Sequence, residues 1–145
     1  MLTTDQKGAI AESAVTLEAI RLGLDVYRPM AEGGRYDLII DIGSQLLRVQ
    51  CKYPRLHGDV VKVRCYSTRR AREGLRKRTY RAAEVDLIAA YCRDLDRCFL
   101  LSADHFDGHT QVDLRVAASR NNQRVGVNWA DDFDFVARLR ALVGP

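Results

Sequence analysis

An α/β fold with a central mixed sheet and helices on its faces follows from the order of apolar periodicities along the chain. A helix-spaced stretch opens it, strand-like stretches fill the middle, and a second helix-spaced stretch closes it. The chain has 145 residues, 47% hydrophobic and 29% charged. That is the size and mixture of one domain, 1–145, with a buried core.

The first helix is predicted over Thr4 to Leu22. Gly8, Glu12, Val15, Ala19 and Leu22 recur at spacings of three and four and so share a face. Ile10, Ala14 and Leu17 fill a neighbouring face, and Gly23 is a natural stop. Strands are expected at Asp25 to Arg28, Tyr36 to Ile42 and Gln45 to Lys52. Gly43-Ser44 joins the last two, and glycine first in a two-residue loop favours a type II′ hairpin. A further strand is expected over Val60 to Tyr66, while 68–80 stays open between helix and loop. Val85 to Tyr91 and Cys98 to Leu101 read as buried strands. Ser102 to Phe106 reads as a helical turn, and Leu114 to Val116 and Val125 to Asn128 as edge pieces. The closing helix, Asp131 to Val143, takes its stripe from Phe133, Val136, Leu139 (or Leu142) and Val143, with Asp131 or Asp132 as cap.

Composition narrows the function classes. No stretch reaches the roughly 18 apolar residues of a bilayer span. The N-terminus lacks the basic flank and apolar run of a signal peptide, so the chain is expected in the cytoplasm. The four cysteines lack C-x-x-C spacing, and Cys51, Cys65 and Cys92 sit in apolar runs, which suits reduced core residues. The net charge of +4 is unevenly spread. Arg69, Arg70, Arg72, Arg76, Lys77, Arg78 and Arg81 stand within 13 residues that hold a single acid, Glu73. The plain alternative is a solvated face. A phosphate-binding arm is the sharper reading, since clustered cations gain affinity by releasing condensed counterions.

The hairpin makes a geometric statement. With Gly43-Ser44 as its loop, Ile40 faces Leu47, Leu38 faces Val49 and Asp37 faces Gln50. Alternation then puts Asp37, Gln50 and Lys52 on one face and Leu38, Ile40, Leu47, Val49 and Cys51 on the other. Glu12 lies in the apolar stripe of the first helix, where a solvated carboxylate is out of place; it is expected to turn inward to a cation.

The run Gly34-Arg35-Tyr36-Asp37-Leu38-Ile39-Ile40, followed by Leu47-Arg48-Val49-Gln50-Cys51-Lys52, resembles the PD-(D/E)XK nuclease superfamily. An Asp opens one strand, an acid-x-Lys triplet lies on the next, and a helix bearing a Glu precedes both. Tyr36 stands where the motif has Pro, and Gln50 where it has Asp or Glu. The Q-x-K variant is similar to that of the group I intron-associated homing endonucleases. Lys7-Gly8 through Glu12, Tyr27-Arg28-Pro29, Val85-Asp86 and Asn121-Asn122-Gln123 with Trp129-Ala130 look like that branch too.

The resemblance implies a restriction-endonuclease-like sheet and Mg²⁺-assisted phosphodiester hydrolysis, with Mn²⁺ as a substitute. Asp37 would be the central metal ligand, joined by the Gln50 amide oxygen, the Cys51 carbonyl and Glu12, all hard oxygen donors. Lys52 would orient or help activate the attacking water and stabilise phosphate charge. Double-stranded DNA is the implied partner. A homo-oligomer, dimer or tetramer, follows because one chain carries one site and a duplex has two strands. Asn121, Asn122 and Gln123 read either as a polar turn or as DNA contacts. Asp86 has no evident role. His105 and His109 have metal-ligand spacing, but Gly108 argues against the helix that would align them. A junction-type structure-specific nuclease shares this core. A DNA-binding module that has lost catalysis, with Gln50 as the sign of decay, is the competing non-enzymatic class.

Overall fold

The computed structural model describes residues 1–118 and 126–144. In chain order it forms α1 (Thr4–Arg21), β1 (Asp25–Tyr27), β2 (Leu38–Asp41), β3 (Leu46–Lys52), β4 (Leu56–His57), β5 (Val60–Arg64), β6 (Tyr66–Ala71), β7 (Gly74–Thr79), β8 (Leu87–Cys92), β9 (Arg97–Ser102), α2 (Ala103–Phe106), β10 (Gln111–Arg115), a 3₁₀ turn (Ala130–Phe133) and α3 (Phe135–Val143).

Local chemistry starts and stops α1. Thr3 and Gln6 form a capping box: the Thr3 hydroxyl accepts from the Gln6 N–H at 3.1 Å, and the Gln6 side chain accepts from the Thr3 N–H at 2.9 Å. Gly23, at φ +79°, ends the helix in the left-handed region. The buried stripe is Ala11, Val15 and Ala19. Leu17 stays 49% exposed and does not fill a second buried face. Small side chains along the stripe let the helix lie close on the sheet.

The main sheet has the order β1-β2-β3-β8-β9, and every pair is antiparallel except β3–β8. This is the mixed sheet that the sequence predicts. One face packs on α1 and α3 through Leu38, Ile40, Leu47 and Val49 against Ala11, Val15 and Leu139. The opposite face is covered by a smaller sheet, β10-β5-β4, with α2 and the 3₁₀ turn, which brings Val61, Val63 and Leu114 together with Ile88, Phe99, Phe106 and Phe133. Each fully buried side chain of this kind contributes roughly 1.5–3 kcal/mol. The four cysteines are free and buried in these two cores. Among the described residues, no helix is long and apolar enough to cross a membrane.

Several elements differ from the sequence reading: β4 is an addition to it, and the strand expected over Val60 to Tyr66 ends at Arg64, so that Tyr66 opens β6 in another sheet. The stretch 68–80 is neither helix nor loop. β6 and β7 pair only with each other, as an antiparallel hairpin with Arg69 opposite Arg76. The closing helix is broken at Asp134, whose extended backbone bridges Phe99 and whose side chain accepts from the Ala137 N–H at 3.1 Å. Asp134, not Asp131 or Asp132, is therefore the cap, and Leu142 and Val143 are left partly exposed. The edge piece near 114 begins earlier, at Gln111, because β10 pairs along all of β5; Val125 lies outside the described residues.

Asp86 gains a structural role. Its N–H donates to the Arg48 carbonyl at the head of the parallel pair. Its carboxylate accepts from the Arg48 N–H at 2.8 Å and from both Nε and Nη2 of the same guanidinium. These bonds hold the Asp86 carboxyl below the usual range. A depressed carboxyl contributes stability that is complete above its unfolded pKa of about 4 and is lost as pH falls through the folded value. Asp86→Asn is expected to lose about 1–2 kcal/mol at pH 7 in urea unfolding. The gap to the parent protein should close as pH drops below about 4; an equal loss at pH 3 would rule this carboxylate out as the source.

Candidate active site

The hairpin register places Leu38 opposite Val49 and Ile40 opposite Leu47, as counted from the Gly43-Ser44 loop. Gly43 sits at φ +88°, and the Ile42 N–H donates to the Gln45 carbonyl. The ladder departs from this count at Asp37. Its N–H donates to the Val49 carbonyl at 2.9 Å, and its Oδ2 accepts from the Cys51 N–H at 2.9 Å. Asp37 thus ends β2 by substituting its carboxylate for a backbone acceptor. In a strand, the N–H and C=O of one residue face the same edge, so the Cys51 carbonyl also faces the edge beyond the start of β2.

The four candidate residues approach from two sides of the sheet. Gln50 and Lys52 share one face, toward the smaller sheet and the basic hairpin. Glu12 comes from α1, which packs on the opposite, apolar face. Asp37 is where the two sides meet. It feels the charge of Lys52, and it raises the pKa of Glu12. A cleft of about 440 Å³ is lined by Gly8, Glu12, Arg28, Tyr36 and Asp37 among others, but not by Gln50 or Lys52.

Electrostatics distinguish these groups. Burial raises the Asp37 carboxyl, opposed by the Cys51 N–H and then by Lys52. Burial and then the Asp37 charge raise Glu12, opposed by Arg28. Burial lowers the Lys52 ammonium, which Asp37 partly restores. The cation toward which Glu12 turns is Arg28, whose Nη2 lies 2.8 Å from Oε1. A guanidinium thus sits where two crowded carboxylates call for positive charge. Two hard oxygen donors in one cleft suit a divalent ion. Among the described residues no three His, Cys, Asp or Glu side chains form a metal cluster; the position of a third acid is filled by Gln50.

Among the described residues, Gln50 is the one buried polar residue, 8% exposed. Its Nε2 donates to the Arg35 carbonyl at 2.8 Å. Its Oε1 accepts no hydrogen bond among the described residues and is left as the free oxygen of the amide. Lys52 Nζ donates to the Tyr66 carbonyl at 2.9 Å and to the Tyr80 hydroxyl at 3.0 Å.

The sequence reading assigned no role to Arg28, Arg35, Tyr80 or Glu84. Arg35 is the most connected of them. It donates to Ser67 Oγ at 2.8 Å and to the Thr79 carbonyl at 2.7 Å, and it lies over the Tyr80 ring at 4.3 Å. Its place two residues before Asp37 was the available signal. The basic residues 69–78 lie on the hairpin, with Arg69, Arg76 and Arg78 alternating to one face and Arg70 and Lys77 to the other. Arg81 lies beyond it, 3.9 Å from Asp107. Asn121, Asn122 and Gln123 lie outside the described residues. His105 packs edge-on against Phe133 at 4.7 Å.

An acid at the head of β2, a second acid on α1 and a lysine on β3 suit the chemistry of metal-assisted phosphodiester cleavage. The profile of the PD-(D/E)XK endonuclease family matches residues 2–136, and the chain belongs to that family. It is accordingly an enzyme, a divalent-metal-dependent endonuclease. Its fold is similar to that of the bacterial homing endonuclease I-Ssp6803I, with a TM-score of 0.76 at 24% identity over 95% of this chain and 93% of that one. No curated protein matches the sequence.

The Gln50 contacts generate a prediction. Gln50→Glu restores the acid usual for the motif but removes the donor to the Arg35 carbonyl and sets oxygen against oxygen. Metal-free protein carrying it is expected to lose about 1–3 kcal/mol. Chemical unfolding measures this, and unchanged stability would show that the amide donor has no structural role.

Proposed function

We propose that this chain is a Mg²⁺-dependent endonuclease of double-stranded DNA, of the homing type its fold neighbour represents, acting as a homo-oligomer. The observation that carries the reading is Asp37, which shares a cleft with Glu12 and lies within electrostatic reach of Lys52. Asp37 would hold the ion, with Glu12, the Gln50 Oε1 and the Cys51 carbonyl as further oxygen donors; Mn²⁺ suits the same set. When bound, the ion supplies positive charge to the phosphate and acidifies a coordinated water.

The remaining chemistry belongs to the chain. Tyr66 and Tyr80 hold the Lys52 ammonium beside the strand that bears Gln50, where its Nζ orients the attacking water and stabilises charge on the phosphate. The Cys51 N–H keeps Asp37 Oδ2 in place and leaves Oδ1 for the cleft. The exposed arginines of β6 and β7, with Arg72 in their turn and Arg81 beyond, supply phosphate contacts. Asn121, Asn122 and Gln123 are proposed as further DNA contacts. A duplex offers two strands and each chain one site, which favours a dimer or tetramer.

Cleavage of plasmid DNA with Mg²⁺ tests the reading. Lys52→Ala and Asp37→Ala are each expected to abolish cutting, and Asp37→Ala to abolish the heat of Mg²⁺ binding. No cleavage of plasmid, genomic or four-way-junction DNA by the parent protein would overturn it. Arg28 gives a crossed result, because guanidinium and metal compete for the Glu12 carboxylate. Arg28→Ala is expected to bind Mn²⁺ a few-fold more tightly by calorimetry, the factor equivalent to an exposed pair of about 0.2–1 kcal/mol. Weaker binding would mean that Arg28 supports the site instead.

A further inference from the structure

The hydrogen-bond acceptors of the Lys52 ammonium both belong to the root of the basic hairpin. Tyr66 is the first residue of β6, and Tyr80 follows the last residue of β7. Arg35 clamps the same root. One arm of its guanidinium reaches Ser67 on β6 and the other reaches the Thr79 carbonyl on β7, while its plane lies over Tyr80. Its own carbonyl accepts from Gln50. Lys52 Nζ also sits 4.8 Å from the centre of the Tyr80 ring. Lys52 is therefore fastened to the hairpin directly and Gln50 through the segment bearing Arg35, and among the described residues no other element supplies a bonded partner to either side chain.

The hairpin has little else to fix its direction. β6 and β7 form a two-stranded sheet of their own, and most of their side chains are exposed. An isolated two-stranded hairpin is marginal, so its orientation is set by its base. One carboxylate joins an exposed cation at the root, Arg78 opposite Ser67, to Arg35. Glu84 Oε2 lies 2.8 Å from Nη2 of the exposed Arg78 and 3.2 Å from Nε of the half-buried Arg35. A phosphate that takes Arg78 frees that carboxylate for Arg35.

We propose that Arg35 and Tyr80 are positioning residues that couple DNA seated on the hairpin to the placement of the Lys52 ammonium. This rests on the hairpin being the DNA-binding arm. DNA contacts along β6 and β7 orient the root; the root carries the Tyr66 carbonyl and the Tyr80 hydroxyl; those two acceptors aim Nζ. Tyr80→Phe removes one acceptor while keeping the ring under Arg35, so the fold and the binding surface are preserved.

The test separates binding from cleavage on a duplex that the parent enzyme cuts. Dissociation constants are measured in Ca²⁺, and single-turnover rates in Mg²⁺ at saturating enzyme. Tyr80→Phe and Arg35→Lys are expected to keep DNA affinity within about twofold and to cut about 10- to 100-fold more slowly, as for a misplaced catalytic group. The double variant Arg69→Ala/Arg76→Ala serves as the arm control and is expected to weaken affinity and reduce its salt dependence. Unchanged affinity in that double variant would refute the arm itself. Weakened affinity there, with a parental cleavage rate in Tyr80→Phe, would refute the coupling alone. A Tyr80→Phe defect in affinity with no rate defect at saturation would likewise overturn it, because the tyrosine would then belong to the binding surface.

Discussion

The bond from the Cys51 N–H to the Asp37 carboxylate is the constraint on which the rest of the site depends. A strand edge that stops short leaves an unpaired donor, and a buried donor without an acceptor is costly. Asp37 supplies that acceptor from its side chain. The same contact therefore finishes the β2–β3 ladder and orients a carboxylate at the end of the sheet. Stability and placement of the functional group come from one interaction. The other carboxylate oxygen is left for the proposed metal ion.

The sheet around this point divides labour between its faces. On one side, α1 lies close because Ala11, Val15 and Ala19 are small, and the closeness brings Glu12 to the cleft beside Asp37. On the other side, Gln50 and Lys52 emerge among polar partners. The buried amide keeps its donor satisfied on the Arg35 carbonyl, and the ammonium keeps its donors satisfied on Tyr66 and Tyr80. Two apolar cores hold these faces in place, while hydrogen bonds aim the groups proposed to act. Arg48 and Asp86 lock β3 to its parallel neighbour, so the strand carrying the triplet is fixed along its length.

Charge is arranged at two levels. Near the cleft, Arg28 neutralises Glu12, whose affinity for protons is raised by burial and by the Asp37 charge, while burial raises that of Asp37. At the periphery, the arginines of the β6–β7 hairpin stand in solvent; among the described residues, Arg69, Arg70, Arg72 and Lys77 make no ion pair. Arg78 and Arg35 share Glu84, which links the two levels through a single carboxylate.

The sequence by itself determined the α/β class, the span of α1 and the register of the β2–β3 hairpin. These depend on local rules: periods of 3.6 and 2, a capping residue, and a glycine in a two-residue loop. The same alternation made Gln50 and Lys52 share a face, and an acid in an apolar stripe marked Glu12. Only the tertiary structure decided the rest. The segment 68–80 has no apolar period to separate strand from helix, so its hairpin was invisible until paired. The cap at Asp134 depends on a bridge to Phe99, a residue far away in sequence. Arg35 meets Gln50 and Glu84, and Tyr80 meets Lys52, across 15 to 49 positions, and no local pattern encodes contacts of that range. Asp37 shows both sides: its place at the head of a strand was legible, but the turn of its carboxylate toward Cys51, joining the two faces, was settled by the packed sheet.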